Sequence, residues 1–244
     1  MIDGRHPRSE DTKGPSPALS GRMRSCACER WRLECSPYMY PPLKRLVDVV
    51  VSLLLIIALA PIWLVAALLV KLTSPGPILF RQERGGRGGV PFFSCKFRTM
   101  RADHRHDPSE VVTLSHPGIT PVGRVLRRLK IDELPQLFNV LAGDMSLVGP
   151  RPTIMEQVRA YDSVQRRRLD VRPGITGLAQ VNGNAEISWD ERIKYDIYYV
   201  DHLGPGLDLF ILARTLLIVV LGESRFTRPF ERSPYARAGR WMER

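Results

Sequence analysis

The sequence predicts an α+β fold, mostly helical, with one re-entrant membrane helix-hairpin, interfacial amphipathic helices and a small β-hairpin. Three observations predict it. Residues 49–70 carry no charge and are apolar on every face, with Pro61 near the middle. Residues 77–100 read as two short strands joined by a glycine-rich turn. Elsewhere, segments such as 134–141 and 207–222 carry apolar residues at helical spacing or in helix-length runs.

The uncharged run from Val49 to Val70 would extend about 33 Å as one straight helix, enough for a bilayer core of about 30 Å. It is too long for a signal peptide, and no small-residue cleavage site follows it. Pro61 removes a backbone hydrogen bond and predicts a kink. Lys44 and Arg45 precede the run, and Lys71, Arg81, Arg84 and Arg87 follow it. A crossing helix keeps its positive flank on one side, so cations at both ends favour a hairpin that returns to the same face over a true span. The membrane segment is set at residues 46–72. Residues 207–222, interrupted by Arg214, suit an interfacial or core helix. Residues 189–203 interleave charges with Trp189, Ile193, Tyr195, Tyr198 and Tyr199, which suits a helix at headgroup level or an amphipathic surface helix.

With 244 residues and 44% hydrophobic content, the chain suffices for one sizeable domain, here bounded at 39–223. Residues 1–38, rich in Pro, Ser and Gly without a hydrophobic period, predict a disordered extension, and Met39 offers an alternative start. Residues 224–244 hold six arginines and two glutamates and predict a basic, solvated tail. The formal charge of +11 calls for an anionic partner: nucleic acid, anionic lipid or a phosphorylated small molecule. No helix-turn-helix, zinc finger or aromatic RNA motif supports nucleic acid. Cys26, Cys28 and Cys35 lack a fourth ligand at zinc spacing, and Cys95 reads as a buried thiol. Residues 102–110 carry two histidines and several acids but no period, and predict a solvated loop.

The anion-handling candidates lie in the polar half. Asp132 and Glu133 form an acid pair behind the basic run 123–130. Structurally, Asp132 can cap a helix that tolerates Pro135 in its first turn, ends at Gly143, and turns Leu134, Leu137, Phe138 and Leu141 to one face. That leaves Glu133 and the arginines without a task. Pro150 and Pro152 fix the backbone around Arg151, whose planar fork suits phosphate oxygens, and Arg172 precedes a Pro-Gly turn in similar style. Gly85, Gly86, Gly88 and Gly89 can cradle a phosphate or simply turn a hairpin, without a Walker or dinucleotide fingerprint. Rigid arginines, paired acids and a membrane element together suit phosphoryl chemistry at a membrane surface.

Six stretches carry a family resemblance: KRLVD (44–48), SPGPILFRQERGG (74–86), FRTM (97–100), DELPQLFNVLAGDMSLVGPRP (132–152), RPGITGLAQVNG (172–183) and WDERIKYDIYYVD (189–201). The chain resembles the bacterial sugar transferases, the monotopic polyprenyl-phosphate phosphoglycosyl transferases of the exopolysaccharide-initiating type, over about residues 40–222. It is similar to their minimal form, without the multi-span N-terminal domain of larger members. It departs in having Ala60-Pro61 where members often have Ser-Pro, so no hydroxyl can help the broken backbone.

The resemblance implies transfer of a sugar 1-phosphate from a UDP-sugar to polyprenyl (undecaprenyl) phosphate, with UMP released and Mg²⁺ required. It implies that Asp132 is the nucleophile and that Glu133 handles metal or protons, the two acids together holding Mg²⁺. Arg127, Arg128, Arg151, Arg172, Arg98 and Lys96 are implied substrate-binding residues. It also implies the cytoplasmic face of the bacterial inner membrane, membrane lipid as a partner and downstream glycosyltransferases as possible partners. Two readings compete: a membrane-tethered nucleic-acid binder, on charge alone, and a non-catalytic scaffold for polysaccharide assembly.

Overall fold

The computed structural model describes residues 40–101, 116–222 and 224–236. The expected N-terminal extension with its three cysteines, and the expected 102–110 loop, lie outside them. The described chain is mostly helical with two small sheets, in the order α1 (Tyr40–Ala58), α2 (Ala60–Thr73), β1 (Leu79–Gly85), β2 (Pro91–Phe97), α3 (Pro121–Arg128), α4 (Gln136–Ala142), β3 (Ser146–Val148), α5 (Met155–Ala160), α6 (Ser163–Arg166), β4 (Gly174–Thr176), α7 (Trp189–Asp201) and α8 (Pro205–Leu221).

Pro61 acts as its chemistry requires. The apolar run breaks at Leu59, Pro61 sits in the first turn of α2, and the two helices bend by 64°. Among the described residues no single helix is long and apolar enough to cross a membrane, and this bent pair qualifies only by length and composition. Both helices keep broad apolar faces uncovered, including Leu54, Ile57, Leu64 and Leu72. Their other faces are tied down. Asp48 accepts from the Ser146 hydroxyl at 2.7 Å and the Leu147 amide at 3.2 Å. Trp63 meets Phe97 and Phe138 edge-on, with ring centroids 5.9 and 5.1 Å apart.

The predicted hairpin is present. Strands β1 and β2 pair antiparallel from Leu79↔Phe97 to Gly85↔Pro91. Gly88 and Gly89 turn it at φ 68° and 78°, a region that only glycine enters freely. A second sheet, unforeseen, pairs β3 with β4 in parallel, Ser146 opposite Gly174 and Val148 opposite Thr176. It sets the two proline-rich loops side by side, and the Gly174 amide donates to the Pro150 carbonyl at 2.9 Å. A Cβ on Gly174 would lie 2.1 Å from the Gly149 nitrogen, so the approach requires glycine.

Five expectations need correction. Asp132 caps no helix: α4 starts at Gln136 with Pro135 in the cap position, and Asp132 belongs to a separate 3₁₀ turn, Ile131–Glu133. Lys130, at φ 57°, turns the chain after α3 and separates that turn from it. The α4 face also divides, because Leu137 is buried whereas Phe138 is exposed toward Trp63. Cys95 is only half-buried.

The aromatics of α7 sit in the core instead of at a surface. Tyr195, Ile197 and Tyr199 are fully buried, and the tyrosine hydroxyls find partners inside, Tyr195 on the Arg228 carbonyl (2.8 Å) and Tyr199 on Asp208 (2.7 Å). Nor is the C-terminal stretch solvated from residue 224. Phe230 is 3% exposed and lies edge-on to Tyr195, and Phe226, Tyr235 and Ala236 pack on the same core. Burial of aromatic rings outweighs the basic composition that suggested a solvated arm. Residues 237–244 lie outside the described chain.

Candidate active site

Three elements bring the acid pair to a cluster of cations. The 3₁₀ turn carrying Asp132 and Glu133 packs on β2 and α3. Alternation along the hairpin puts Gln82 and Arg84 of β1 and Ser94 and Lys96 of β2 on one face. Lys96 Nζ donates to Glu133 Oε1 at 2.6 Å. From the loop after β3, Arg151 Nη2 donates to the same oxygen at 2.7 Å, and its Nη1 lies 3.5 Å from Oε2. Glu133 is therefore gripped from two sides, while half of the Arg151 side chain still faces solvent (40% exposed).

The two acids have opposite electrostatics. Burial pushes Asp132 up to about 6, Glu133 adds to the rise, and Lys96, Arg127 and Arg151 oppose it. Burial would also raise Glu133, but Arg151 and Lys96 hold it well below the usual carboxylate range. Asp132 is 8% exposed, and among the described residues no side chain hydrogen-bonds its carboxylate. Lys96 and Arg127 are themselves lowered by burial, with the acids opposing, and the short Lys96–Glu133 contact keeps that pair ionic.

The remaining sequence candidates divide. Arg127, on α3, lies within electrostatic reach of both acids and donates through Nε to the Thr99 hydroxyl at 2.8 Å. Arg128 is exposed at the end of α3, and among the described residues nothing ties it to the pair. Arg98 is buried and donates to the Ser74 and Pro75 carbonyls, both at 2.6 Å, fastening the loop between α2 and β1. Arg172 donates through Nε to the Gly143 carbonyl at 2.9 Å, beside Arg45, whose Nη2 donates to Leu141 at 2.9 Å. Those two arginines satisfy the carbonyl end of α4.

Two residues escaped sequence reading. Arg84 faces the pair from β1; burial and then Arg151 push it down to about 10, with Glu133 opposing. Strand alternation with Lys96 was the signal for it. Arg168 forms a buried ion pair with Asp196 at 2.6 Å and donates to the Arg151 carbonyl at 2.9 Å, fixing the loop from behind. Nothing in its Arg-Arg-Arg run marks it. Burial pushes Asp196 up to about 6 even though Arg168 opposes the rise.

Mg²⁺ is normally held by one or two carboxylates together with waters and substrate phosphates. Adjacent carboxylates, one of them free of hydrogen-bonding side chains among the described residues, fit that mode. A protein-only cage does not fit, since among the described residues no three His, Cys, Asp or Glu side chains converge.

Comparison with known proteins makes the class of this chain definite: it is a transferase. It belongs to the bacterial sugar transferase family, whose model matches residues 39–222. The uncharacterized sugar transferase EpsL of Bacillus subtilis is 44% identical over 181 residues, covering 74% of this chain and 89% of that protein. The UDP-glucose:undecaprenyl-phosphate glucose-1-phosphate transferase of Caulobacter vibrioides is 46% identical over 188 residues, or 71% and 68% of the two chains. The UDP-N-acetylgalactosamine-undecaprenyl-phosphate N-acetylgalactosaminephosphotransferase of Aeromonas hydrophila is 40% identical over 190 residues, 75% of this chain but 45% of that longer protein.

Proposed function

We propose that this chain transfers a sugar 1-phosphate from a UDP-sugar to undecaprenyl phosphate, releasing UMP, as the first membrane step of exopolysaccharide or related glycoconjugate synthesis. The names of the Caulobacter and Aeromonas relatives support the donor and acceptor classes. The observation that carries the chemistry is the buried Asp132 carboxylate, free of hydrogen-bonding side chains among the described residues, beside a Glu133 already neutralised by Lys96 and Arg151.

An Asp132 oxygen attacks the β-phosphorus of the donor. The bond from that phosphorus to the bridging oxygen breaks, and UMP leaves with the electron pair. A phosphate oxygen of the lipid acceptor then attacks the same phosphorus and expels the Asp132 carboxylate. Bringing an anion to an anionic phosphate requires neutralisation, which Arg151, Arg127, Arg84 and Lys96 provide from three directions. Asp132 and Glu133 would hold Mg²⁺, which supplies further charge neutralisation on the phosphate oxygens.

The bent α1–α2 pair enters and leaves the cytoplasmic face of the inner membrane as a re-entrant hairpin, with α8 along the interface. Its uncovered apolar faces and the 64° bend support that placement, and so does the cationic flank at each end. Product on the lipid would then pass to downstream glycosyltransferases.

The test is trapping. With a labelled UDP-sugar and no lipid acceptor, the full chain should release UMP once per molecule and retain the sugar phosphate. Asp132→Asn should abolish both. Release of UMP only when lipid is present, with no labelled chain, would replace this mechanism by direct transfer.

A further inference from the structure

A second cationic cavity lies away from the acid pair. It is an open groove of about 580 Å³ between the middle of α8 and the segment after it, lined by Phe210, Arg214, Leu217, Arg225, Phe226 and Arg228 among others. None of the elements carrying Asp132, Glu133, Lys96, Arg84 or Arg151 lines it. Its volume is that of a small-ligand pocket.

Three guanidinium groups border the cavity, and among the described residues no carboxylate pairs with any of them. Arg214 interrupts an otherwise apolar helix. Its guanidinium lies between the Phe210 and Phe226 rings, 5.8 and 5.4 Å from their centroids. One Nη donates to the Phe226 carbonyl at 3.3 Å, but Nε is buried with no partner among the described residues. Among the described residues, a cation held this way has no counter-charge. The opposite wall is anchored: the Arg228 amide donates to the Asn182 carbonyl at 2.9 Å, and the Arg228 carbonyl accepts from Tyr195 at 2.8 Å. Arg228 is thus presented by fixed backbone. The apolar side of α8 continues from the same place, with Leu216, Leu217, Val220 and Leu221 all exposed.

We propose that this cavity is a binding site for the headgroup of an anionic bilayer phospholipid, with an acyl chain lying along the exposed face of α8. The phosphate fits three arginines that no carboxylate among the described residues neutralises, and the chain fits the apolar surface beside them. A zwitterionic lipid offers a cation that these arginines repel. A soluble phosphate has no use for the adjoining apolar face. The inference goes beyond the transfer reaction and rests on that reading only for placing α8 at a membrane.

The full chain in mild detergent is exposed to photoactivatable phosphatidylglycerol, and cross-linked peptides are mapped by mass spectrometry. Label should saturate near one lipid per chain within residues 205–236, compete with unlabelled phosphatidylglycerol and resist phosphatidylcholine. Arg214→Gln/Arg225→Gln/Arg228→Gln should lose on the order of tenfold or more of that label. The charge-matched Arg237→Gln/Arg240→Gln/Arg244→Gln variant should keep it. If the first variant misfolds, Arg225→Glu/Arg228→Glu leaves half-buried Arg214 in place and should still lose the label. Equal loss from the tail variant would show diffuse attraction and overturn the site. Protection by millimolar inorganic phosphate would make it a free-phosphate site. Stronger displacement by undecaprenyl phosphate would make it an acceptor site. No sugar donor enters the measurement, so failure of the transfer reading leaves this result standing, and the reverse holds too.

Discussion

Asp132 and Glu133 are neighbours in one 3₁₀ turn, yet burial pushes the first up to about 6 while Arg151 and Lys96 hold the second well below the carboxylate range. The asymmetry divides labour between two identical functional groups. Glu133 is the fixed anion that gathers the cations, and in the proposed mechanism Asp132 is the one left basic enough to react.

A stability measurement follows from this. Asp132 rises from 3.8 to about 6, roughly two units at about 1.4 kcal/mol each, so its ionised form costs on the order of 3 kcal/mol at neutral pH. The folded value exceeds the unfolded one. The favourable contribution is therefore fully present below about pH 4 and lost as pH rises through about 6. Without metal, in chelator, Asp132→Asn should melt higher than the natural chain at about pH 7.5, and the gap should close as pH falls toward 4. Asp196, also near 6, titrates in both proteins and cancels. A gap independent of pH would refute the burial argument.

Arg151 is the most exposed of the cations that grip Glu133, and so the best placed to reach a donor phosphate. Arg151→Ala should lower kcat/KM for the UDP-sugar by roughly 10²-fold, the loss typical of one preorganised charge-stabilising donor. Arg151→Lys should recover little, because an ammonium cannot form two parallel hydrogen bonds. Steady-state UMP release against donor concentration measures both. Near-normal kinetics in Arg151→Ala would remove this residue from the donor site.

Local chemistry made the hairpin, the Pro61 break and the Gly143 helix end legible, since each depends on backbone preferences of the residues themselves. The acid pair was recognised through a motif, and its cations only in part. Arg98 and Arg172 read like phosphate ligands, yet each is committed to backbone carbonyls. An arginine beside a proline looks the same whether its fork meets a phosphate or a helix end. The three-residue strands β3 and β4 were invisible because a parallel pair so short has no period to read. Asp48 and Arg168 were equally silent, their partners lying about 98 and 28 positions away.

The α1–α2 bend yields a topology experiment. Alone, α1 and α2 measure about 28 and 21 Å, so neither comfortably covers a core of about 30 Å. Single cysteines replacing Lys44 and Thr73 should both react with an impermeant thiol reagent from the cytoplasmic side only. Pro61→Leu restores a donor and removes the ring clash, so it should shift a fraction of chains to a straight crossing, exposing the Thr73 position to the periplasm. Periplasmic labelling of either position in the natural sequence would establish a span.

The packed C-terminal stretch separates two truncations that composition alone would treat alike. Phe230 is buried against Tyr195 at a centroid distance of 4.9 Å, and the Arg228 carbonyl accepts from the Tyr195 hydroxyl, so losing this segment opens the core above α7. Ending the chain after Gly222 should destabilise it, and Phe230→Ala alone should cost about 3 kcal/mol or more, the usual range for a buried phenylalanine. Ending it after Ala236 keeps every residue of that cluster and should leave the melting temperature unchanged. Thermal unfolding in detergent distinguishes the two. Equal stability of both truncations would mean that the rings after α8 add nothing to the core.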